Sequence, residues 1–271
     1  MKLKYLGTAA AEGFPALFCN CKYCREARAL GGKNIRTRSQ SLINDDLLID
    51  FPADTYHHFL THGIEGDRIK HLLITHAHSD HLYSRDLFRH YGCYAHDMRV
   101  QTLELYCSSY TASTLEDNIP NVQVNVLKAF ETVEIASYRV TPLPARHMTK
   151  EGEPFNYVIE QGGKTLLYAH DTGYFFDEVF DFIKENEIKF DMLSLDCTNV
   201  DIPIPDTGSH MGFPNINRVV ERLREIGAVG KNTFVCVNHF SHNGNPLHAH
   251  LCERAAEYGY FVSYDGCEIE F

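Results

Sequence analysis

The sequence predicts a mixed α/β protein with two sheet-forming regions, one in each half of the chain. Strand-like apolar runs alternate along it with amphipathic segments of helical periodicity. No internal repeat, low-complexity tract or linker interrupts the 271 residues, so we expect one domain spanning residues 1–271. Polar side chains follow four predicted strands, at the edge where α/β enzymes gather their sites: His76, Asp171, Asp196 and His239.

The first half is predicted to open its sheet with a hairpin. QSLINDDLLIDF (40–51) has two apolar runs around a polar turn at 44–46. HLLITH (71–76) is apolar enough for a buried strand. The segment VQVNVLKAFETVEIASYRVTPLPARH (122–147) predicts successive antiparallel strands.

The second half is predicted to alternate strands with helices. FFDEVFDFIKENE (175–187) and PNINRVVERLREIG (214–227) have helical periodicity, and the second has Pro214 near its start and Gly227 near its end. Three apolar runs predict the strands: TLLYAHD (165–171), FDMLSLD (190–196) and TFVCVNH (233–239).

Composition limits the class of protein. Hydrophobic residues make up 44% of the chain and charged residues 23%, as in an ordinary globular protein. No run of about 18 apolar residues is present, so we expect no membrane span. The N-terminal MKLKYLGTAAAEGF lacks the long apolar core of a signal peptide, and we expect a cytoplasmic protein. There the nine cysteines should stay reduced, and clustered ones indicate metal ligands. The net charge of −11 disfavours nucleic-acid binding.

The strongest motif is LLITHAHSDHL (72–82), an H-x-H-x-D-H pattern after a predicted buried strand. His76 and His78 can turn toward one cation, and Asp80 and His81 can reach a second. Imidazole suits zinc, iron or nickel, and a carboxylate also suits manganese. Two metals about 3.5–4 Å apart can share a hydroxide and clamp a phosphoryl or acyl oxygen. A solvated histidine-rich turn is the alternative, which this spacing disfavours.

Four residues cannot fill two coordination spheres, so further ligands must come from other strand ends. The chain supplies His147 in PLPARHM, Asp171 in LLYAHDTG and His239 in VCVNHFSH. In this order of motifs the chain resembles the metallo-β-lactamase superfamily. The resemblance spans the whole chain and implies an αβ/βα four-layer sandwich with two mixed β-sheets.

The resemblance also implies a role for each ligand. His76, His78 and His147 would hold one metal. Asp80, His81 and His239 would hold the other, and Asp171 would bridge the two. Asp50, at the end of LLIDF, matches an early aspartate of the family that supports the ligands from behind. His170 should point to the opposite face of its strand and serve a structural role.

A second cluster lies near the N-terminus. FCNCKYC contains Cys19, Cys21 and Cys24, and three thiolates need a fourth ligand to close a tetrahedral zinc site. His242 in HFSH is the best candidate, and such a zinc would tie the N-terminal loop to the rim of the active site. Three unmetallated thiols are the alternative. Six scattered cysteines are expected in the core: Cys93, Cys107, Cys197, Cys236, Cys252 and Cys267.

These features together are similar to the phosphoribosyl cyclic phosphodiesterases of bacterial phosphonate breakdown. That family pairs a dinuclear site with a zinc held by three cysteines and a histidine, and ends in H-x-S-H followed by "DG", here HFSH and SYDGCEIEF. The resemblance implies two catalytic divalent metals (Mn or Zn), one structural Zn, and hydrolysis of a small cyclic or diester phosphate. It leaves the exact substrate and a homodimer open, and it implies neither a membrane nor a nucleic acid as partner.

Three rival interpretations remain open. GTAAAEGFPALFCNC also resembles the start of pyrroloquinoline-quinone biosynthesis protein B, an oxidative enzyme, although that family departs from the full H-x-H-x-D-H pattern. A transfer-RNA 3′-processing nuclease shares the ligands but usually brings an extended basic arm, which this sequence lacks. A metal-binding protein without catalytic activity is the third.

His210 is the candidate general acid. It lies in the Gly-rich DTGSHMGF, and phosphodiesterases of the superfamily often carry a histidine in such a loop, placed to protonate the leaving oxygen. Asp80 is counted with it among the catalytic residues. A surface histidine is the alternative. Arg36 and Arg38 could help to hold a phosphate, although loop arginines are more often solvated. The pairs His57/His58 and His90/His96 are expected to have no functional role.

Overall fold

The computed structural model describes residues 1–147 and 152–271, and in them fourteen strands form two sheets of seven strands each. The strands are β1 (Lys2–Gly7), β2 (Gln40–Ile43), β3 (Leu47–Ile49), β4 (His71–Leu73), β5 (Leu103–Cys107), β6 (Val122–Val126), β7 (Val133–Ile135), β8 (Tyr138–Pro144), β9 (Phe155–Gln161), β10 (Lys164–Ala169), β11 (Phe190–Asp196), β12 (Val229–Asn238), β13 (Phe261–Val262) and β14 (Glu268–Glu270).

The first sheet has the order β14-β1-β2-β3-β4-β5-β6. Its pairs are antiparallel from β14 to β3, which includes the predicted hairpin, and parallel from β3 to β6. The expectation that residues 122–147 form only antiparallel strands was wrong for β6. This strand pairs in parallel with β5 at the edge of the first sheet, because the chain crosses between sheets after it, and periodicity alone does not show that crossing.

The second sheet has the order β13-β12-β11-β10-β9-β8-β7. The pairs from β7 to β10 are antiparallel, and those from β10 to β13 are parallel. The parallel strands β10, β11 and β12 therefore end at one edge, where Asp171, Asp196 and His239 are found. The predicted strands 165–171, 190–196 and 233–239 are confirmed.

Within the described residues the helices are α1 (Lys22–Leu30), α2 (Thr55–His62), α3 (Ser109–Thr114), α4 (Asp177–Glu185), α5 (Phe213–Glu225) and α6 (His248–Ala256). The two predicted helices correspond to α4 and α5. Helix α5 begins with Pro214 in its first turn and buries Ile216, Val219, Val220 and Leu223, which share one face. No helix among residues 1–147 and 152–271 is long and apolar enough to cross a membrane.

Three apolar clusters show how the layers pack. One cluster fills the space between the sheets and contains Tyr5 and Leu73 of the first sheet with Tyr157 and Met192 of the second. A second packs α4 and α5 on the outer face of the second sheet, and a third covers the outer face of the first sheet. The order is therefore helix, sheet, sheet, helix, which confirms the expected αβ/βα four-layer sandwich with two mixed sheets.

The scattered cysteines do not all lie in this core. Cys107, Cys197, Cys236 and Cys267 are buried as expected. Cys93 and Cys252 are exposed, so the expectation was wrong for these two. Cys252 lies on α6, and Cys93 lies in the segment that connects β4 to β5. The residue type alone does not indicate whether a cysteine in such a place points into the core or toward solvent.

Candidate metal centre

Three histidines and one aspartate meet where β4 and β10 end. The Nε2 atoms of His76 and His147 each lie 3.0 Å from Nδ1 of His78. Asp171 approaches through Oδ2, 3.2 Å from His76 Nε2, and through Oδ1, 3.2 Å from His147 Nδ1. Ligands held about 2.1 Å from one zinc would be roughly 3.0–3.4 Å apart. The four side chains can therefore hold a divalent cation.

A second group lies beside the first and is buried: Asp80, His81, Asp171 and His239. Nε2 of His81 is 3.4 Å from Oδ2 of Asp80 and 3.3 Å from Oδ2 of Asp171. Nε2 of His239 lies 3.9 Å from the same Asp171 oxygen. Asp171 is thus common to both groups, so its carboxylate can contact two cations at once.

The backbone turns sharply at Asp171 and His239 of these groups and at the buried Asp50. Asp50, Asp171 and His239 have φ values of 66°, 56° and 63°, in the left-handed region that residues other than glycine rarely adopt. Each follows the end of a strand, β3, β10 or β12. Such backbone conformations tend to occur at functional sites, and here they accompany the two carboxylates and the imidazole at the strand ends.

Unpaired buried atoms test whether these residues fit a metal. Nε2 of His81, Nε2 of His239 and Oδ1 of Asp171 are buried and hydrogen bond with no described residue. Leaving such an atom unpaired costs about 1–3 kcal/mol. Cations held in the two adjacent groups would satisfy all three atoms, so the residues fit a pair of metals.

In His81 and His239, a hydrogen bond from the ring nitrogen that faces away from the cluster fixes the orientation of the ring. Nδ1–H of His81 donates to Oδ2 of Asp50 over 2.7 Å. Nδ1–H of His239 donates to Oγ1 of Thr198 over 2.8 Å, and that hydroxyl in turn donates to Asp196. When each ring is neutral, this hydrogen bond keeps its proton on Nδ1 and turns the Nε2 lone pair toward the cluster, which is the tautomer that metal binding needs.

Charge in the cluster also favours a cation. Burial opposes ionisation of Asp171, but His239, His210 and His76 hold the pKa of its carboxyl well below the usual range. Burial likewise lowers the pKa of His76 to about 3. The carboxylate is therefore ionised and the His76 ring is neutral, as ligands must be.

The pKa of His81 is shifted in the opposite direction to that of His76. Burial would lower the pKa of His81, but the carboxylates of Asp50, Asp171 and Asp80 outweigh it and raise the pKa well above the usual value. Negative charge is therefore concentrated around this ring, and a bound cation would compete with the proton for it.

Asp50 and Asp196 hold the candidate ligands in place from behind through hydrogen bonds. Asp50 is fully buried and accepts hydrogen bonds from Nδ1 of His81 and from both the backbone N–H and the hydroxyl of Thr75. The sequence predicts Asp196 at the end of a strand but does not predict a role for it. It accepts from Thr198 and from the Met211 backbone N–H, and its position after a parallel strand was the signal.

His210 reaches the same cluster. Its Nδ1 lies 2.9 Å from Oδ1 of Asp171 and 3.6 Å from Oδ2 of Asp196. Burial would lower the pKa of His210, but these two carboxylates raise it to about 10. With Asp171, Asp196 and His239 it forms a further group within metal-ligand reach. The structure therefore allows His210 two roles, a proton donor or a ligand.

The cysteine cluster and His242 come together as one group. Sγ of Cys21 lies 3.6 Å from Nδ1 of His242 and caps helix α1 by accepting from the Cys24 backbone N–H. Burial would raise the pKa of Cys21, but hydrogen bonds from His242 and the Cys24 backbone lower it to about 6. Glu12 lies 3.7 Å from the other nitrogen of His242. The four side chains can hold a cation.

Both arginines suggested as possible phosphate contacts have partners within the protein. Arg36 is buried, and its Nη1 donates to the Thr8 hydroxyl and to the Ser263 carbonyl, each over 2.8 Å. The guanidinium is used to join the N-terminal loop to the C-terminal segment. Arg38 pairs with Asp54 at 3.2 Å.

Two other histidines take internal roles. His170 faces the space between the sheets, where its Nε2 lies 2.7 Å from Oγ of Ser194. His58 is buried, with one ring nitrogen 2.6 Å from Oε1 of Gln40 and the other 2.7 Å from Oγ1 of Thr37. Neither ring belongs to a metal-ligand group among the described residues.

Solved structures of low sequence identity share this fold. A new diphosphatase from the PhnP family has a TM-score of 0.75 at 22% identity, over 100% of this chain and 96% of that chain. Zn²⁺-bound PqqB from Methylobacterium extorquens has a TM-score of 0.76 at 20% identity, over 100% of both chains. The short form of human tRNase Z has a TM-score of 0.64 at 15% identity, over 100% of this chain and 99% of that chain.

Sequence comparison gives the family. No curated protein matches the chain, but residues 47–237 match the family model of the beta-lactamase superfamily domain. This range contains the H-x-H-x-D-H motif, His147, Asp171 and His210. The chain therefore belongs to the metallo-β-lactamase superfamily, whose members are mostly metal-dependent hydrolases.

Proposed function

We propose that this protein is a dinuclear metal-dependent phosphodiesterase that hydrolyses a small cyclic or diester phosphate. One observation carries the proposal: the Asp171 carboxylate belongs to two adjacent four-ligand groups, and every ligand of both is present. Two bound divalent cations (Mn or Zn) supply Lewis-acid polarisation of the phosphoryl group and activation of a water molecule.

The residues of the chain have distinct tasks in this proposal. Asp171 and the surrounding imidazoles fix the two cation positions, and Asp80 completes the buried group as both ligand and catalytic residue. His210 stands beside Asp171 with its side chain 28% exposed, so it can reach a substrate oxygen from the solvent side. We assign it to protonate the leaving oxygen. Cys19, Cys21, Cys24 and His242 would hold a structural zinc.

Several features favour a small phosphodiester over the alternatives. The PhnP-family diphosphatase, which acts on a phosphate compound, shares the fold over the whole chain. The complete ligand set favours hydrolysis over the oxidative chemistry of protein B in pyrroloquinoline-quinone biosynthesis. The net charge of −11 opposes binding of a nucleic acid such as transfer RNA.

A turnover screen tests the proposal. Bis-p-nitrophenyl phosphate, a ribose cyclic phosphate, a thioester and a β-lactam are each incubated with the protein in manganese and in zinc. We expect both phosphodiesters to react and the thioester and β-lactam to remain intact. A chelator-treated sample is the control and should recover activity when metal is restored. Bound metal without turnover of any ester would instead indicate a metal-binding protein without catalytic activity.

A further inference from the structure

A cavity lies on the outer face of the first sheet, between that sheet, helix α2 and the segment that connects β4 to β5. Its volume is about 260 Å³, larger than the roughly 150 Å³ of an engineered cavity that binds benzene in another protein. Among the described residues, none of those in the metal-ligand groups lines it. The cavity is therefore separate from the candidate metal centre and has room for a small organic molecule.

The floor of the cavity is apolar. Leu48, Leu72 and Leu103 come from β3, β4 and β5, and all three are buried. Phe51 and Phe59 form aromatic walls and are only partly buried. Because removing apolar surface from water is favourable, a molecule that covers these two rings would gain binding free energy. The floor and the walls therefore favour an aromatic ligand.

The two aromatic walls are held in place by their surroundings. The backbone N–H of Phe51 donates to the His81 carbonyl over 2.7 Å, and its carbonyl accepts from the Tyr83 N–H over 2.7 Å. A Cβ on Gly66 would lie 2.8 Å from Cε2 of Phe59, so a side chain at 66 would push that ring aside. The cavity is therefore formed before any ligand arrives, as is usual for small-molecule sites.

The imidazole of His90 adds a polar group to this apolar cavity. Both of its ring nitrogens are buried, and neither hydrogen bonds with any residue that the structure describes. Burial lowers the pKa of His90, so the ring is neutral at pH 7, with one nitrogen that donates and one that accepts. Buried polar atoms of this kind usually have a partner. A hydroxyl group on a ligand can satisfy either nitrogen.

The charged residues at the cavity indicate a neutral ligand. Asp67 accepts from Nη2 of Arg99 over 2.7 Å, so its charge is paired. The other acid and base that line the cavity are Asp86 and Arg89, which are opposite in sign. A charged ligand would give up its hydration here and meet no net opposite charge, which is costly.

We propose that this cavity is a binding site for a neutral aromatic molecule that carries a hydroxyl group. The aromatic rings of the ligand pack against Phe51 and Phe59, and its hydroxyl hydrogen bonds with His90. The site goes beyond the proposed phosphodiesterase activity, and binding to it needs neither catalytic metal. His90 and His96, for which the sequence indicates no function, both line this site.

Three matched probes test the site. The chain contains no tryptophan, so binding of 2-naphthol can be followed by its own fluorescence, and naphthalene and 2-naphthoate can be measured by displacing it. The wild type should bind one 2-naphthol per chain, about 5–100-fold more tightly than naphthalene, which lacks the hydroxyl. The charged 2-naphthoate should bind at least about 10-fold more weakly than 2-naphthol. His90→Phe keeps the ring volume and removes both nitrogens, so it should bind 2-naphthol and naphthalene equally.

Further variants locate the bound probe. Ala95 lines the cavity, so Ala95→Phe should fill part of it and weaken binding of 2-naphthol at least about 10-fold. His57→Phe replaces an exposed histidine of α2 outside the cavity and should change nothing. His147→Ala, which removes a proposed metal ligand, should also bind 2-naphthol like the wild type.

Several results would overturn the site. They are no saturable binding of 2-naphthol below about 1 mM, equal affinity of the wild type for 2-naphthol and naphthalene, preference for 2-naphthoate, or unchanged binding in Ala95→Phe. Weaker binding in His147→Ala would mean that the probe binds at the metal centre, and it would overturn the site as well. The wild-type preference and Ala95→Phe decide the question even if His90→Phe does not fold. None of these measurements depends on turnover of an ester.

Discussion

Oδ2 of Asp50 lies 2.7 Å from Nδ1 of His81, and both side chains are fully buried. The same carboxylate accepts from the Thr75 N–H at 2.8 Å. It thereby joins the end of β3 to the segment after β4 and orients the His81 ring toward Asp80 and Asp171. The carboxylate also makes the His81 ring a more basic ligand.

Removing the charge of Asp50 should weaken one metal site more than the other. Asparagine tolerates the positive φ of this position, so Asp50→Asn should fold. We expect about 10–100-fold weaker binding of the cation held by His81, measured by titration against a chromophoric chelator. Asp54→Asn, which removes a charge that pairs with Arg38 instead, is the control. Two unchanged affinities would show that Asp50 serves folding only.

The neighbouring residues His170 and Asp171, which follow β10, should have opposite effects on metal binding when replaced. Asp171→Ala removes the carboxylate common to both ligand groups, so elemental analysis should find both catalytic metals lost or weakly held, and turnover should stop. His170→Ala should keep the metals. It should lower stability by about 1–3 kcal/mol because it leaves Ser194 and Asn238 without their buried partner. Metal loss from His170→Ala with retention in Asp171→Ala would contradict the ligand assignment.

The cysteine site should carry its own metal. We expect about three metals per chain in protein purified without chelator, and Cys21→Ser should reduce this number by one. The variant should also unfold at lower denaturant concentration, because a structural metal contributes folding free energy. Cys252→Ser removes an exposed thiol outside the site and is the control. Full metal content in Cys21→Ser would rule out a structural zinc held by this residue.

The metal-ligand groups could be predicted from sequence because their residues follow apolar strands. His76 and His78 come directly after one such run, and Asp171 and His239 end two others. Since parallel strands of one sheet end at a common edge, β10 and β12 of the second sheet bring Asp171 and His239 together. That His76 and His78, which follow β4 of the first sheet, meet them was predicted from the resemblance to the superfamily. The cysteine cluster was visible for a similar reason, since short spacing alone keeps three thiols close.

Other features of the structure depend on contacts between residues that are distant along the chain, which a local sequence pattern does not predict. The left-handed backbone at Asp50 and His239 is a conformation that residues other than glycine rarely adopt, and no local sequence pattern predicts it. Arg36 looks like a loop cation in the sequence, yet its partners Thr8 and Ser263 are distant along the chain.

The two roles open to His210 predict different results for one variant. If His210 protonates the leaving oxygen, His210→Ala should keep both metals and lose about 10²–10⁴-fold in rate on a ribose or alkyl phosphodiester. The loss should be much smaller on a p-nitrophenyl ester, because p-nitrophenolate leaves without a proton and a sugar alkoxide does not.

Metal content and the ratio of the two rates together identify the role. If His210 is instead a ligand in the group with Asp171, Asp196 and His239, His210→Ala should lose metal and slow both esters alike. His147→Ala, which removes a proposed ligand, provides the pattern of metal loss for comparison. Equal losses with full metal content would mean that His210 positions the phosphate. No loss on either ester would leave it as a histidine on the rim of the site, with the leaving oxygen protonated by another group.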